Sequence, residues 1–374
     1  MHFGGDMGDL LIGLTSLIAN PKMILMMIVG GILIYLAIKK DYEPALLLPI
    51  GFGTILANIP FSSAIGEHGP LTLLFNAGIM TELFPILIFI AIGAMIDFSV
   101  LLRNPFMLMF GAAAQFGIFF AMMMASLLGF SFLESAAIGI IGAADGPTSI
   151  FVAGRFAPEL LGPITVAAYS YMALVPIIQP PVIRLLTTQN ERRIRMDSFN
   201  AQVPKTVKIL FPIIITIIAG IVAPTSVALV GFLMFGNLLR ECGVLDKLAK
   251  SAQNELSSLV TILLGITIAS TMTAEKFLNL QTLYILGLGL IAFIANTAGG
   301  VLFAKILNLF LKKKVNPMIG AAGISAFPMS ARVIQKMGQK EDKQNFLLMP
   351  ATSANVAGQI GSVIAGGLIL ALCS

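Results

Sequence analysis

Asp145 is the residue whose type and setting first point to chemistry. It stands in Gly142-Ala143-Ala144-Asp145-Gly146-Pro147-Thr148-Ser149, within an apolar run from Ser135 to Val152. An ionisable side chain at membrane depth is costly, and it marks a functional site by default. Gly146-Pro147 prevents a continuous helix, because proline lacks an N–H and clashes with the preceding turn. Broken backbone at that depth persists only where protein or a water-filled cavity covers it. Residues 134–156 are therefore expected to form a re-entrant hairpin with Asp145 at its tip. A plainer role, Asp145 as N-cap of a helix starting near Pro147, is compatible with this one.

A second apolar stretch punctuated by Gly and Pro, 315–335, reads as a second hairpin. The polar residues in and around the two breaks are Asp145, Thr148, Ser149, Tyr171, Asn316, Ser325, Ser330, Arg332, Ser353 and Asn355. A carboxylate, amides, hydroxyls and freed carbonyls are hard oxygen ligands suited to a hard cation. No second acidic residue is near, so the natural cargo is monovalent. Na⁺ or H⁺ at Asp145, with Asn355 from the opposite half, is the expected site. Arg332 has two readings: a side chain snorkelling to the cytoplasmic interface, or a bidentate clamp for a carboxylate arriving from the cytoplasm. Tyr171 lies well inside its apolar run, so its hydroxyl needs a polar partner and can relay a proton. Asn316 follows a lysine run and also suits the cap of the hairpin's first helix. Asp97 with Arg103 reads as an interfacial pair, and methionine stripes such as Met122-Met123-Met124 as packing.

These residues need elements to hold them, and composition says which kind. Of 374 residues, 57% are hydrophobic and only 11% charged, against about 25% charged in a soluble domain. This is the composition of an all-α polytopic membrane protein. The net charge of +5 reflects basic loops on the cytoplasmic side, not nucleic-acid binding. His2 and His68 lie outside the apolar spans, and Cys242 and Cys373 are too few and too far apart for a disulfide framework or metal knot. No Walker loop or dinucleotide fingerprint occurs. The first 22 residues carry Asp6 and Asp9 without a basic n-region, so no cleavable signal is expected.

Apolar runs fall near 23–38, 45–59, 81–102, 106–130, 160–183, 207–222, 225–239, 257–273, 281–311 and 345–373, each about long enough to cross a ~30 Å core. The segment from Arg184 to Lys208, with Arg192, Arg193, Arg195 and Lys205, belongs in the cytoplasm. Counting from it places Lys39-Lys40, Arg103, Lys312-Lys313-Lys314 and the 336–343 loop inside. Both termini then lie outside, with ten crossings, provided that both hairpins return to their own side. The expected layout is an external segment 1–22, a first membrane repeat 23–187, a basic linker 188–206 and a second repeat 207–374.

The halves echo each other. Gly51-Phe52-Gly53 leading to Asn58 matches Gly231-Phe232-Leu233 leading to Asn237, and Ile138–Ser149 matches Ile319–Ser330. Five crossings per half make the repeats inverted, the layout of secondary transporters of rocking or elevator type. On architecture alone, a plain Na⁺/H⁺ antiporter or Na⁺/carboxylate symporter remains open beside an enzyme.

Four long motifs carry a closer likeness: Gly142–Thr148, Ala168-Tyr169-Ser170-Tyr171-Met172-Ala173-Leu174-Val175-Pro176, Asn316-Pro317-Met318-Ile319-Gly320 through Arg332, and Asn355-Val356-Ala357-Gly358. With them, essentially the whole chain resembles the beta subunit of the sodium-pumping biotin-dependent decarboxylases, a family of oxaloacetate, methylmalonyl-CoA and glutaconyl-CoA enzymes. The resemblance implies a bacterial inner-membrane subunit that decarboxylates carboxybiotin, exports Na⁺ and takes up a proton. It implies a carboxyltransferase alpha subunit, a biotin carrier protein and a small single-span membrane subunit as partners, and a homo-oligomer within the complex. No biotin-attachment motif is present here, so the biotin comes from a partner. The family's functional positions fall on Asp145, Tyr171, Asn316, Gly320, Ser325, Arg332 and Asn355. The resemblance thus makes Asp145, Tyr171 and Arg332 the catalytic residues. Arg332, Asn316 and Gly320 bind the substrate, and Asp145, Asn355 and Ser325 bind Na⁺. The short loop from Phe61 to Gly78 and the segment Pro350-Ala351-Thr352-Ser353-Ala354 depart from the oxaloacetate members, and lean towards an acyl-CoA system such as the glutaconyl type.

Overall fold

The computed structural model describes residues 7–40, 44–196, 202–222 and 224–373, and every regular element among them is helical. Five helices are long and apolar enough to cross a membrane, or seven when two bent pairs each count as one span. Pro70–Ile79 meets Leu83–Met95 at 63°, and Pro158–Ala173 meets Val175–Leu186 at 68°. The second bend falls inside the run 160–183, which looks continuous in the sequence, and the first joins a helix in the expected loop to the run that begins near 81. The second follows from Pro176 at the start of the new helix, which has no N–H to offer the preceding turn. Other runs form shorter helices, such as Pro44–Asn58 and Val227–Glu241, of 15 residues each. The first is bounded by Pro44 and, just past its end, Pro60. Within the segment expected to lie outside, Met7–Ala19 is a helix.

One group of helices frames the molecule. Pro21–Lys40 packs on Pro44–Asn58, and Lys205–Val222 on Val227–Glu241. The second member of each pair crosses to the other half: Pro44–Asn58 meets Ser257–Ile268, and Val227–Glu241 meets Leu83–Met95. The asparagines echoed in the sequence close these crossings. Asn58 Nδ2 donates to the Met272 carbonyl at 2.8 Å, and its Oδ1 accepts from Ala274 N–H at 2.8 Å. Asn237 Nδ2 donates to the Ile96 carbonyl at 3.1 Å. Each amide satisfies backbone groups that a helix end would otherwise leave orphaned in an apolar setting.

The inner group holds the breaks. Phe132–Gly139 starts at a capping box, Ser131 with Glu134, legible in the sequence as Ser-x-x-Glu. It tightens through Ile140–Ala143, and after the break Gly146–Phe156 runs back. Opposite it, Met318–Ala321 leads through an irregular turn into Met329–Glu341. Two long helices carry both hairpins: Leu280–Phe310, of 31 residues, and Leu348–Cys373, of 26. Asn296, in the middle of the first, accepts from Gly117 N–H and donates to the Gly142 carbonyl, and so joins hairpin 1 to its neighbours.

Asp97 pairs with Arg240 at 3.8 Å and accepts from Ser99 N–H at 2.9 Å. The pair expected with Arg103 does not form, because the helix ends at Met95 and the chain turns Asp97 towards the second half.

Lipid offers no hydrophobic drive for one helix to join another, so close backbone approach and interhelical hydrogen bonds carry the association. Gly300 and Gly320 show the requirement. A Cβ on Gly320 would sit 1.9 Å from the Gly300 carbonyl oxygen, and one on Gly300 would sit 2.1 Å from that of Gly320. Any side chain there separates hairpin 2 from the long helix. Gly320→Ala is expected to cost about 1–3 kcal/mol through overpacking, read as a lowered unfolding midpoint of the purified subunit in detergent. An unchanged midpoint would mean that the two elements part without penalty.

Candidate functional site

The site is built where the two hairpin tips meet. Ala144 lies in the left-handed region (φ 54°, ψ 43°), which turns the chain at the tip of hairpin 1. A non-glycine residue there is uncommon and strained. The next residue, Asp145, is extended and N-caps Gly146–Phe156, accepting from Thr148 N–H at 3.2 Å. The capping role and the tip position thus coincide. The tip of hairpin 2 reaches it through the backbone: Ser325 N–H donates to the Ala143 carbonyl at 3.1 Å.

The Asp145 carboxylate is buried and takes its remaining bonds from the last helix of the second half. Gln359 Nε2 donates at 2.9 Å and Ser362 Oγ at 2.6 Å. All three donors are neutral, and among the described residues no cationic side chain pairs with Asp145. A buried carboxylate solvated only by neutral dipoles is incompletely compensated. A bound cation or proton is the remedy. Gln359 and Ser362 were not singled out from the sequence. The available signal was a polar stripe at i, i+4 and i+7 formed by Asn355, Gln359 and Ser362.

Asn355 lies buried one turn before Gln359, on the same helix. Its Nδ2 donates to the Ile324 carbonyl in hairpin 2, while its Oδ1 is buried without a partner. Thr148 Oγ1 is buried and unpartnered too. Ser325 Oγ donates to the Gly358 carbonyl at 2.9 Å. Carboxylate, orphan amide oxygen, orphan hydroxyl and turn carbonyls therefore gather around the meeting tips. They form an all-oxygen donor set that fits Na⁺. Among the described residues no cluster of three His, Cys, Asp or Glu side chains suited to another metal occurs.

The remaining expected residues are distributed differently. Tyr171 is partly buried, packs on Gly289, and donates its hydroxyl to the Leu286 carbonyl at 2.5 Å, with no hydrogen bond to Asp145. The ring lying against the break is that of Tyr169, which occupies the space a Cβ on Gly146 would need. Arg332 is exposed on Met329–Glu341, and among the described residues it has no ion-pair partner. Gly320 makes the close approach to Gly300. Gln179, beyond the 68° bend, donates to the Ala321 carbonyl at 2.8 Å and accepts from Ser330 Oγ at 2.9 Å, tying hairpin 2 to the first half.

Asn316 serves the basic segment around Arg192. Its Oδ1 accepts from Met318 N–H at 3.1 Å, and its Nδ2 donates to the carbonyls of Arg192 and Ile194 at 2.9 and 2.8 Å. Arg192 also pairs with Glu341 at 2.8 Å, and Arg195 with Asp342 at 2.7 Å. These linker arginines, read from the sequence as a basic cytoplasmic segment, are clipped to the exit of hairpin 2. Residues 197–201 of the linker lie outside the described residues.

The comparisons with known proteins decide the family. The profile of the Na⁺-transporting oxaloacetate decarboxylase beta subunit matches residues 22–373. This chain belongs to that family. It is 53% identical to the methylmalonyl-CoA decarboxylase beta subunit of Veillonella parvula, covering 94% of this chain and 93% of that one. It is 50% identical to the glutaconyl-CoA decarboxylase beta subunit of Acidaminococcus fermentans, over 98% and 99% of the two chains. With oxaloacetate decarboxylase beta chain 2 of Salmonella typhimurium the identity is 44%, over 98% of each. The resemblance seen in the sequence is borne out. It places the chain among multi-pass subunits of Na⁺-transporting decarboxylases and sets aside the carrier without chemistry.

Two measurements test this geometry. Removing one outer donor, by Gln359→Leu or Ser362→Ala, is expected to weaken apparent Na⁺ affinity ~10–100-fold, as loss of a ligand's hydrogen-bonding partner does elsewhere. ²²Na⁺ binding to the purified subunit reads it directly, and wild-type affinity in both variants would deny them any part in the site. The linker clip carries a pH signature. Hydrogen bonding and charge from Arg192 hold the Glu341 carboxyl below its usual range, and Arg195 does the same for Asp342. Depressed folded-state values mean that the clip is present above the ordinary carboxylate range and lost as pH falls through the lowered ones. Amide protection of residues 192–196 in hydrogen exchange should hold from pH 7 to about 5 and collapse below about 4. Protection that vanishes near neutrality would point to some other tie.

Proposed function

We propose that this chain decarboxylates carboxybiotin delivered by a partner and uses Asp145 as the shared binding group for outgoing Na⁺ and incoming H⁺. The observation that carries the reading is the buried Asp145 carboxylate, bonded only to neutral donors beside two orphan oxygens. Such a carboxylate calls for one positive charge, and Na⁺ and H⁺ compete to supply it. Asn355 and Ser325 complete the Na⁺ site from the second half, with turn carbonyls as further ligands.

Carboxybiotin supplies the carboxyl group whose release as CO₂ drives the pump. Arg332, exposed and free of ion pairs among the described residues, orients that carboxylate by a bidentate contact. Asn316 and Gly320 shape the approach, the first by anchoring the linker and the second by seating hairpin 2 against Leu280–Phe310. Biotin is left needing a proton. Tyr171 and Asp145 relay it from outside, and this requires Tyr171 to exchange its bond to Leu286 for one in the site. Protonated Asp145 is a poor cation ligand, so Na⁺ leaves outwards. Moving one charge against ~150 mV costs roughly 3.5 kcal/mol. Rocking or sliding of one inverted repeat against the other supplies the alternating access.

The complex around the subunit consists of a carboxyltransferase, a biotin carrier and a small single-span membrane subunit in the bacterial inner membrane, with the beta chain in several copies. Its substrate is an acyl-CoA. Identities of 50–53% to the methylmalonyl-CoA and glutaconyl-CoA subunits, against 44% to the oxaloacetate chain, support this. The alignment to that oxaloacetate chain runs over 426 residues, longer than the 374 here, so that chain carries additional segments.

The test is CO₂ release from free biotin carboxylate by the reconstituted complex, with and without Na⁺, in wild type and Asp145→Asn. Wild type should show Na⁺-stimulated release and ²²Na⁺ uptake into inverted vesicles, and the variant should lose both. Na⁺-dependent decarboxylation persisting in the variant would move the coupling site away from Asp145.

A further inference from the structure

Beyond the ion site, one unassigned surface feature is a groove between helices Phe116–Leu127 and Leu280–Phe310. It has a volume of about 470 Å³. Ala112, Phe116 and Phe119 form one wall, and Gly299, Leu302 and Ile306 the other. The exposed faces along it are apolar: Phe116, Phe119, Leu302 and Ile306 are each 45–56% exposed. At Ile306 the groove opens into a second hollow, of about 550 Å³, lined by Asn190, Glu191, Lys305, Asn308 and Lys314. Ile306 lines both, so groove and hollow adjoin there; together they make a channel that is apolar along the membrane segment and polar at one end.

The polar end carries a net positive charge. Lys305 is balanced by Glu191 at 3.3 Å, whereas Lys314 makes no ion pair among the described residues. Lys314 closes the run Lys312-Lys313-Lys314, directly after Leu280–Phe310, and it also lines a third hollow that includes Arg195. The positive-inside rule puts this end at the cytoplasmic face, where anionic headgroups concentrate and basic pockets between membrane helices bind them.

We propose that this channel binds one anionic phospholipid of the inner leaflet, with an acyl chain along the Phe116–Ile306 groove and its phosphate at Lys314. The polarity of the channel selects this occupant. A partner helix would need an apolar wall continuing past the interface, and a soluble acidic partner would make no use of the groove. The groove runs beside Asn296, which holds Gly142 of hairpin 1, so the lipid props the helix pair that seats the ion-binding tip.

The chain contains no tryptophan, and this allows a direct test on the full-length subunit. Phe303→Trp places a reporter at the groove, and Ile262→Trp, on the exposed face of Ser257–Ile268, serves as a bulk-lipid control. Each is reconstituted into phosphatidylcholine vesicles with brominated phosphatidylglycerol or brominated phosphatidylcholine. The groove reporter should be quenched several-fold more effectively by the anionic lipid. The control should show no preference, and Lys314→Glu should abolish the preference at the groove. Soluble glycerophosphate should leave the quenching unchanged. Equal quenching by both lipids at the groove reporter, or a preference that survives Lys314→Glu, overturns the proposal. Displacement by glycerophosphate also overturns it, because the site would then bind a free anion rather than a lipid.

Discussion

The structure turns on one carboxylate that has no charged partner. Asp145 is held by Thr148 N–H from its own hairpin and by Gln359 and Ser362 from the opposite half. The bonds fix its direction, yet they leave a negative charge in a low-dielectric setting where isolated charge is costly. A site so balanced is more stable with a bound cation or proton than without one, which is what a pump exchanging the two needs. Its donors also come from both halves of the chain. Any displacement of hairpin 1 relative to Leu348–Cys373 therefore changes the bonds to Asp145 directly.

Holding that geometry in lipid cannot rely on burial alone, since lipid tails are as apolar as leucine. The molecule uses close backbone approach and buried amides instead. Gly300 with Gly320 brings hairpin 2 onto the long helix, Asn296 ties hairpin 1 to it, and Gln179 secures the second hairpin from the first half. Asn58 and Asn237 do the same for the frame, each closing a helix end of the other half. The two halves are interlocked rather than adjacent.

Much of the basic linker serves the same end. Arg192 and Arg195 are paired with Glu341 and Asp342, and Asn316 holds the linker carbonyls. Among the described residues, Lys314 and Arg332 make no ion pair, the first beside the lipid-facing groove and the second on hairpin 2.

What the sequence determined by itself was whatever a local rule or an isolated chemical oddity reveals. Apolar runs announced the helices, and Gly146-Pro147 the break of hairpin 1. Asp145 stood out as a carboxylate where lipid tolerates few. The long motifs identified the family before any coordinates. Gln359, Ser362 and Asn296 stayed hidden because neutral polar residues inside long unbroken helices ordinarily bond to their own backbone. Only the tertiary packing turned them towards a partner more than 150 residues away. The exchange of Arg103 for Arg240 at Asp97 and the commitment of Asn316 to the linker were likewise decided by contacts between distant segments. Local sequence constrains one helix at a time. Which buried polar group finds which partner depends on the whole set of helices packing together, because each must be satisfied where no water reaches.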